Sequence, residues 1–232
     1  MRIIHNQVTE LATEVADLAK TKGSMLAINA DKSSAEIILW INYFRRTGPD
    51  KPAFALLQGV QAALIETGAY LALGLGRAAI CAIRTQIDLL LGYSYFADHP
   101  REWAKVEDTG DGFMLKKEIY NYHREIDKPG FNIRLELIEH ESGISLDTVY
   151  RRLSAHIHSQ SSFTAPQAEK MIDLVSKPPF LESVVQLHGE AAIAISDFLA
   201  SVYAPNWPDL PPPIVRRIRD CIPKVKQSKF FT

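Results

Sequence analysis

The sequence predicts an all-α fold: one helical bundle domain over residues 1–204, followed by a Pro-rich, basic segment over 205–232. Three observations lead there. Apolar residues recur at spacings of three and four along most of the chain. The strict apolar–polar alternation of a half-buried strand is nearly absent. Clusters of Gly, Pro, Asn and Asp punctuate the chain at intervals that suit helices.

The elements follow in order. Residues 3–21 place Ile4, Val8, Leu11, Val15 and Leu18 on one stripe, with Gly23 as a stop. Ser33 and Ser34 cap a second helix that reaches Phe44, with Glu36 in its first turn. Thr47-Gly48-Pro49-Asp50 is a turn by composition. Residues 52–73 form an Ala- and Leu-rich helix, interrupted by Gly74-Leu75-Gly76. Another long helix runs over 77–96 and stops at Asp98-His99-Pro100. Pro100 begins a short helix in which Trp103 packs back on the core. After the loop 108–112, helices are expected over 113–127, 132–141 and 145–158. Pro166 starts one ending near Ser176, and 180–203 is long and apolar. A short basic helix ends at Cys221. Residues 25–29 and 131–137 have some strand character, but neither has a partner.

Composition narrows the function classes. The chain has 232 residues, 47% of them hydrophobic and 23% charged, with a formal net charge of -1. That balance excludes a wholly disordered chain and a general nucleic-acid polycation. Cys81 and Cys221 match no metal-ligand or redox spacing and read as reduced thiols of a cytoplasmic protein. The N-terminal residues lack the apolar core and cleavage site of a signal peptide. Between Ala53 and Leu91, the most apolar stretch, Gln58, Gln61, Glu66, Arg77, Arg84 and Asp88 break every window long enough to span a membrane. No membrane partner is expected.

The helix over 77–96 carries a polar stripe. Arg77, Cys81, Arg84 and Asp88 fall within about 60° of one another on a helix. Ala79, Ile80, Ile83, Ile87, Leu90 and Leu91 fill much of the remaining circumference. Charges on so apolar a helix need partners. Either Arg84 and Asp88 pair to set helix register, or the stripe lines a cleft or subunit interface that binds an anion. Gly74-Leu75-Gly76 begins like a dinucleotide fingerprint, but a helix precedes it where a strand is required, so the glycines read as a kink or a close helix contact.

Residues 145–161 hold the second constellation. Leu146, Val149, Tyr150, Leu153 and Ile157 form a core face. Arg152, His156 and Ser159 share one flank, while Arg151 and His158 share another meridian two turns apart. Imidazole moves protons near neutral pH, and guanidinium stabilises charge building on a phosphoryl group. Those two roles suffice for metal-independent RNA cleavage. The same residues at a helix C-terminus also suit the helix dipole without any further role.

Arg151-Arg152-Leu153-Ser154-Ala155-His156-Ile157-His158 resembles the Arg-x4–6-His motif of the HEPN superfamily of helical bundle proteins. Arg151 with His156 encloses four residues, and Arg152 with His158 encloses five. Family motifs favour a polar residue after the Arg. That makes Arg151 and His156 the better match, with Arg152 an unusual occupant of the following position. The resemblance implies a HEPN-like bundle, a metal- and cofactor-independent endoribonuclease, and a homodimer in which two motifs meet. It also implies a toxin or antiviral-defence role with RNA as partner. The segments around Arg84-Thr85-Gln86-Ile87-Asp88 and Tyr150–His158 also resemble uncharacterised bacterial helical families.

Two other readings stand beside this one. The chain is a catalytically silent module that binds a protein partner in a defence or regulatory complex, or a small-molecule-binding domain using Arg77, Arg84 and Asp88. In the tail, Arg216, Arg217, Arg219, Lys224, Lys226 and Lys229 with Phe230 and Phe231 are either packed or available to a partner. His140 and Glu136 alone make no zinc site.

Overall fold

The computed structural model describes residues 2–231, and among them every regular element is helical. The order is α1 (Arg2–Leu18), a π-helical turn (Ala19–Gly23), α2 (Ser24–Ser33), α3 (Ala35–Thr47), α4 (Phe54–Ala72) and α5 (Gly76–Phe96). Next come α6 (Pro100–Thr109), α7 (Lys116–Ile126), α8 (Gly130–Ser142), α9 (Leu146–Ile157), a 3-10 turn (Met171–Leu174) and α10 (Pro178–Tyr203). The tail holds a 3-10 turn (Ala204–Asp209), α11 (Pro212–Cys221), a 3-10 turn (Lys224–Lys226) and α12 (Ser228–Phe231). Among the described residues no helix is long and apolar enough to cross a membrane.

Local departures from expectation have physical causes. Gly23 does not stop a helix: its backbone is right-handed helical, and a Cβ there would lie 2.8 Å from the Ala72 carbonyl oxygen. Its lack of a side chain permits close approach of two helices. Residues 25–29 and 131–137 lie within α2 and α8, since an apolar run without a strand to pair with satisfies its backbone internally. The helix expected from Pro166 to Ser176 reduces to the turn Met171–Leu174. There the Asp173 carboxylate accepts hydrogen bonds from the backbone N–H groups of Glu169 (3.0 Å) and Lys170 (2.8 Å), capping a single turn. The break between α4 and α5 is at Gly74, where φ is +77°, a left-handed conformation that glycine adopts without strain.

The chain divides into two compact units. The first comprises Met1–Ala35, Ala62–Thr85 and Asp147–Ala191. Leu26, Ala30, Leu71, Ile80, Ile83, Leu153, Leu181 and Val184 are buried there. The stripe of α1 is only partly covered: Leu11, Val15 and Leu18 are half-buried, while Ile4 and Val8 are 60% and 49% exposed.

The second unit comprises Glu36–Gln61, Gln86–Leu146 and Ala192–Thr232. Trp40, Tyr43, Phe44, Tyr93 and Tyr203 form a ring cluster, and the Trp40 indole N–H donates to Ser196 Oγ at 2.9 Å. Trp103 is buried against Phe96. The tail packs into this unit through Ile214, Ile218, Ile222 and Phe230, all buried. Its charges are engaged as well. Arg217 pairs with Glu36 and Asp197, Lys226 pairs with Glu141, and Arg219 stands over the rings of Trp207 and Phe231.

Candidate active site

The site lies in the first unit, on α9. Leu146, Val149 and Leu153 are buried, which turns Arg151 and Arg152 outward and leaves His156 half-buried at the last turn. The helix ends just beyond it, and Ser159 takes a left-handed φ of 49°. His158 lies past that end and is exposed.

Arg77 on α5 reaches this last turn. Its Nη2 donates to the His156 carbonyl at 2.8 Å and its Nη1 to the Thr164 carbonyl at 2.5 Å. One guanidinium thereby fastens the final turn of α9 to the loop that follows it. Terminal helix carbonyls have no intrahelical donor, so the cation satisfies groups that burial would otherwise leave unpaired. Two turns along α5, Arg84 donates to Ser154 Oγ, and its guanidinium carbon lies 3.3 Å from the centroid of the Tyr150 ring. The stripe read from the sequence as charge on a buried helix is thus a half-exposed seam: Cys81 is exposed, and Arg77 and Arg84 face α9. Asp88, also half-buried, belongs to the portion of α5 in the second unit.

Of the two arginines on α9, Arg152 stands on the His156 side. A separation of four residues sets them about 40° apart on a helix, whereas Arg151 and His156 are about 140° apart. Arg151 is exposed and reaches back one turn, to the Asp147 carbonyl and Thr148 Oγ1, at 3.4 Å each. Arg152 forms an ion pair with Glu190 on α10, and Glu190 accepts a second hydrogen bond from Gln186 Nε2 at 3.0 Å. The His156 ring packs near Phe180, with centroids 6.0 Å apart. Burial, with Arg77 and Arg152 nearby, holds the His156 imidazole below the ordinary histidine range. At neutral pH it is an uncharged base with guanidinium groups on two sides.

Phe180 also lines an open groove of about 730 Å³ whose charged residues are Glu14, Glu169, Asp173 and Lys177. Among the described residues no group of three His, Cys, Asp or Glu could hold a metal ion. Glu190, Gln186 and Phe180 were not singled out from the sequence. Glu190 is one of three carboxylates, with Glu182 and Asp197, on a largely apolar helix, the same kind of signal that marked Arg77 and Arg84 on α5. None of the protein-family models, curated proteins or solved structures compared with this chain matches it.

Proposed function

We propose that this chain is a HEPN-like endoribonuclease that cuts RNA without a metal. The observation that carries the reading is His156: a neutral imidazole at neutral pH, beside the guanidinium of Arg152, at a helix end anchored by Arg77. In this reading His156 removes the proton of a ribose 2′-hydroxyl. The 2′-oxygen then bonds to the adjacent phosphorus and the bond to the 5′-oxygen breaks. The leaving oxygen takes a proton from His158, or from the same motif of a second copy in a homodimer. The products are a 2′,3′-cyclic phosphate and a free 5′-hydroxyl. Arg152 stabilises charge on the phosphoryl oxygens, where a cation does most in the transition state. Arg151, on the solvent flank, holds a neighbouring phosphate. The strand lies along the basic edge of α9, because three of the four charged residues lining the groove beside Phe180 are carboxylates. Such an activity suits a toxin or antiviral-defence component of the cytoplasm.

The test is incubation of the purified full chain with labelled RNA in the presence of a chelator. The expected outcome is fragments ending in a 2′,3′-cyclic phosphate, lost in His156→Ala and Arg152→Ala, with a dimer in solution. Intact RNA with well-folded dimeric protein refutes the proposal. One observation favours a second reading, a protein-interaction module: the exposed Ile4 and Val8 on α1 offer an apolar face to a partner helix. The small-molecule reading finds less support. Arg77 and Arg84 already donate to protein oxygens, and anion binding there would compete with those bonds.

A further inference from the structure

The segment that follows α9 carries Phe163, which the proposed RNA chemistry does not use. Among the described residues it is the most exposed large apolar side chain, at 90%. Its neighbour Thr164 is buried, at 9%. The two together close a turn that holds the ring out from a fixed base. The Ser161 N–H donates to Thr164 Oγ1 at 3.1 Å, and the Thr164 N–H donates back to Ser161 Oγ at 3.2 Å. The Ala165 N–H donates to the Ser161 carbonyl at 2.8 Å, and Gln167 Nε2 to the Ser162 carbonyl at 3.3 Å. Reciprocal side-chain and backbone bonds of this kind fix a short turn. Phe163 stands at its tip, so the backbone is held while the ring meets water.

Arg77 determines where that tip lies. Its single guanidinium donates to the Thr164 carbonyl and to the His156 carbonyl. Two hydrogen bonds and the width of the guanidinium fork put those carbonyl oxygens within about 8 Å of each other. A stacked strand advances about 3.4 Å per nucleotide. The turn bearing Phe163 is therefore about two nucleotides from His156. Arg151 and Arg152 on the same edge can hold phosphates, but a phosphate contact carries no information about the base. An aromatic face does interact with a base, by stacking. A base inside a duplex has both faces covered by its neighbours, so only an unpaired base is open to the ring.

We propose that Phe163 is a base-stacking residue of this site, an inference that rests on the ribonuclease reading above. An unpaired base next to the scissile phosphate lies on the Phe163 ring while the arginines of α9 hold the backbone. The substrate is then a single strand or an unpaired loop. The wider face of a purine stacks better, so a purine is favoured at that position.

The test uses short, end-labelled 2′-fluoro oligonucleotides, which lack the attacking hydroxyl and are not cut. The probes are an oligoadenylate, the same strand paired with its complement, and a strand of the same length without bases. Affinity for the full chain is read by fluorescence anisotropy. The proteins are wild type, Phe163→Leu, which stays apolar but has no aromatic face, and Phe163→Trp. At 90% exposure neither substitution alters packing. Wild type is expected to favour the single strand over the duplex. Phe163→Leu should bind the single strand about tenfold more weakly, and Phe163→Trp should restore binding. All three should bind the baseless strand alike. Cleavage of RNA by Phe163→Leu should show KM raised by the same factor with kcat unchanged. Wild-type affinity or KM in Phe163→Leu overturns the proposal even where RNA is cut, as does equal binding of duplex and single strand. Loss of the dimer in Phe163→Leu assigns the ring to a contact between copies and overturns it too. A wild-type chain that neither binds the probes nor cuts RNA refutes the ribonuclease reading itself, and this inference with it.

Discussion

Replacing Asp197 by Asn tests the buried charge in the second unit. Asp197 is fully buried on α10, with Oδ1 2.7 Å from Arg217 Nη2. Arg217 is shared with Glu36, whose Oε1 lies 2.5 Å from its Nε. Burial raises the Asp197 carboxyl from 3.8 to about 6, and Arg217 offsets only part of that rise. The folded chain thus holds a proton at a pH where the unfolded chain has lost it. Stability from this group is fully present below pH 4 and is lost as pH rises through 6. At about 1.4 kcal/mol per pKa unit, the loss across that window is about 3 kcal/mol. The assay is urea unfolding of wild type and Asp197→Asn at steps from pH 4 to pH 8. The asparagine carries no proton equilibrium, so the difference between the two proteins isolates Asp197. Wild type is expected to lose about 3 kcal/mol relative to the variant between pH 4 and pH 7. A constant offset reflects changed hydrogen bonding with Arg217 and is not the quantity read. A pH-independent difference, or one growing in wild type's favour as pH rises, refutes the reasoning.

Two further predictions concern the first unit. Gly76→Ala places a Cβ 2.8 Å from the Phe180 ring and 2.9 Å from Ser176 Oγ, whereas a Cβ at Gly68 on α4 meets nothing within 4 Å. Thermal unfolding should show Gly76→Ala destabilised by about 1–3 kcal/mol through overpacking, and Gly68→Ala stabilised by about 0.5–1 kcal/mol through helix propensity. Arg152→Gln removes one of the two cations that, after burial, lower the His156 pKa. Its imidazole should titrate at higher pH by NMR, and the acid limb of any RNA cleavage should move to higher pH with it. An unmoved His156 titration would remove Arg152 from its surroundings.

The helical class and most helix positions were legible because apolar spacing is a local property. A helix closes its own backbone hydrogen bonds, so 77–96 and 180–203 emerge within a few residues of α5 and α10. Pro166–Ser176 misled because its proline begins no helix, and the Asp173 carboxylate caps only the single turn Met171–Leu174. The candidate site was half legible. Residue types and spacing on α9 drew attention to Arg151, Arg152, His156 and His158. Periodicity also puts Arg152 on the His156 flank. It is silent on Glu190, which is 38 residues from Arg152 in the chain and joined to it only by folding.

By itself, then, the sequence determined the helices, their turns and the chemical types available on each. Tertiary structure decided which charges meet. Arg77 clasps the end of α9, and Arg217 pairs with the buried Asp197. It also gathered His123, Asp98 and Tyr203 around one cavity, though nothing in their spacing links them. The physical reason is range. Backbone hydrogen bonding and periodicity act over three or four residues, while ion pairs and cavities are closed by segments that long stretches of chain separate.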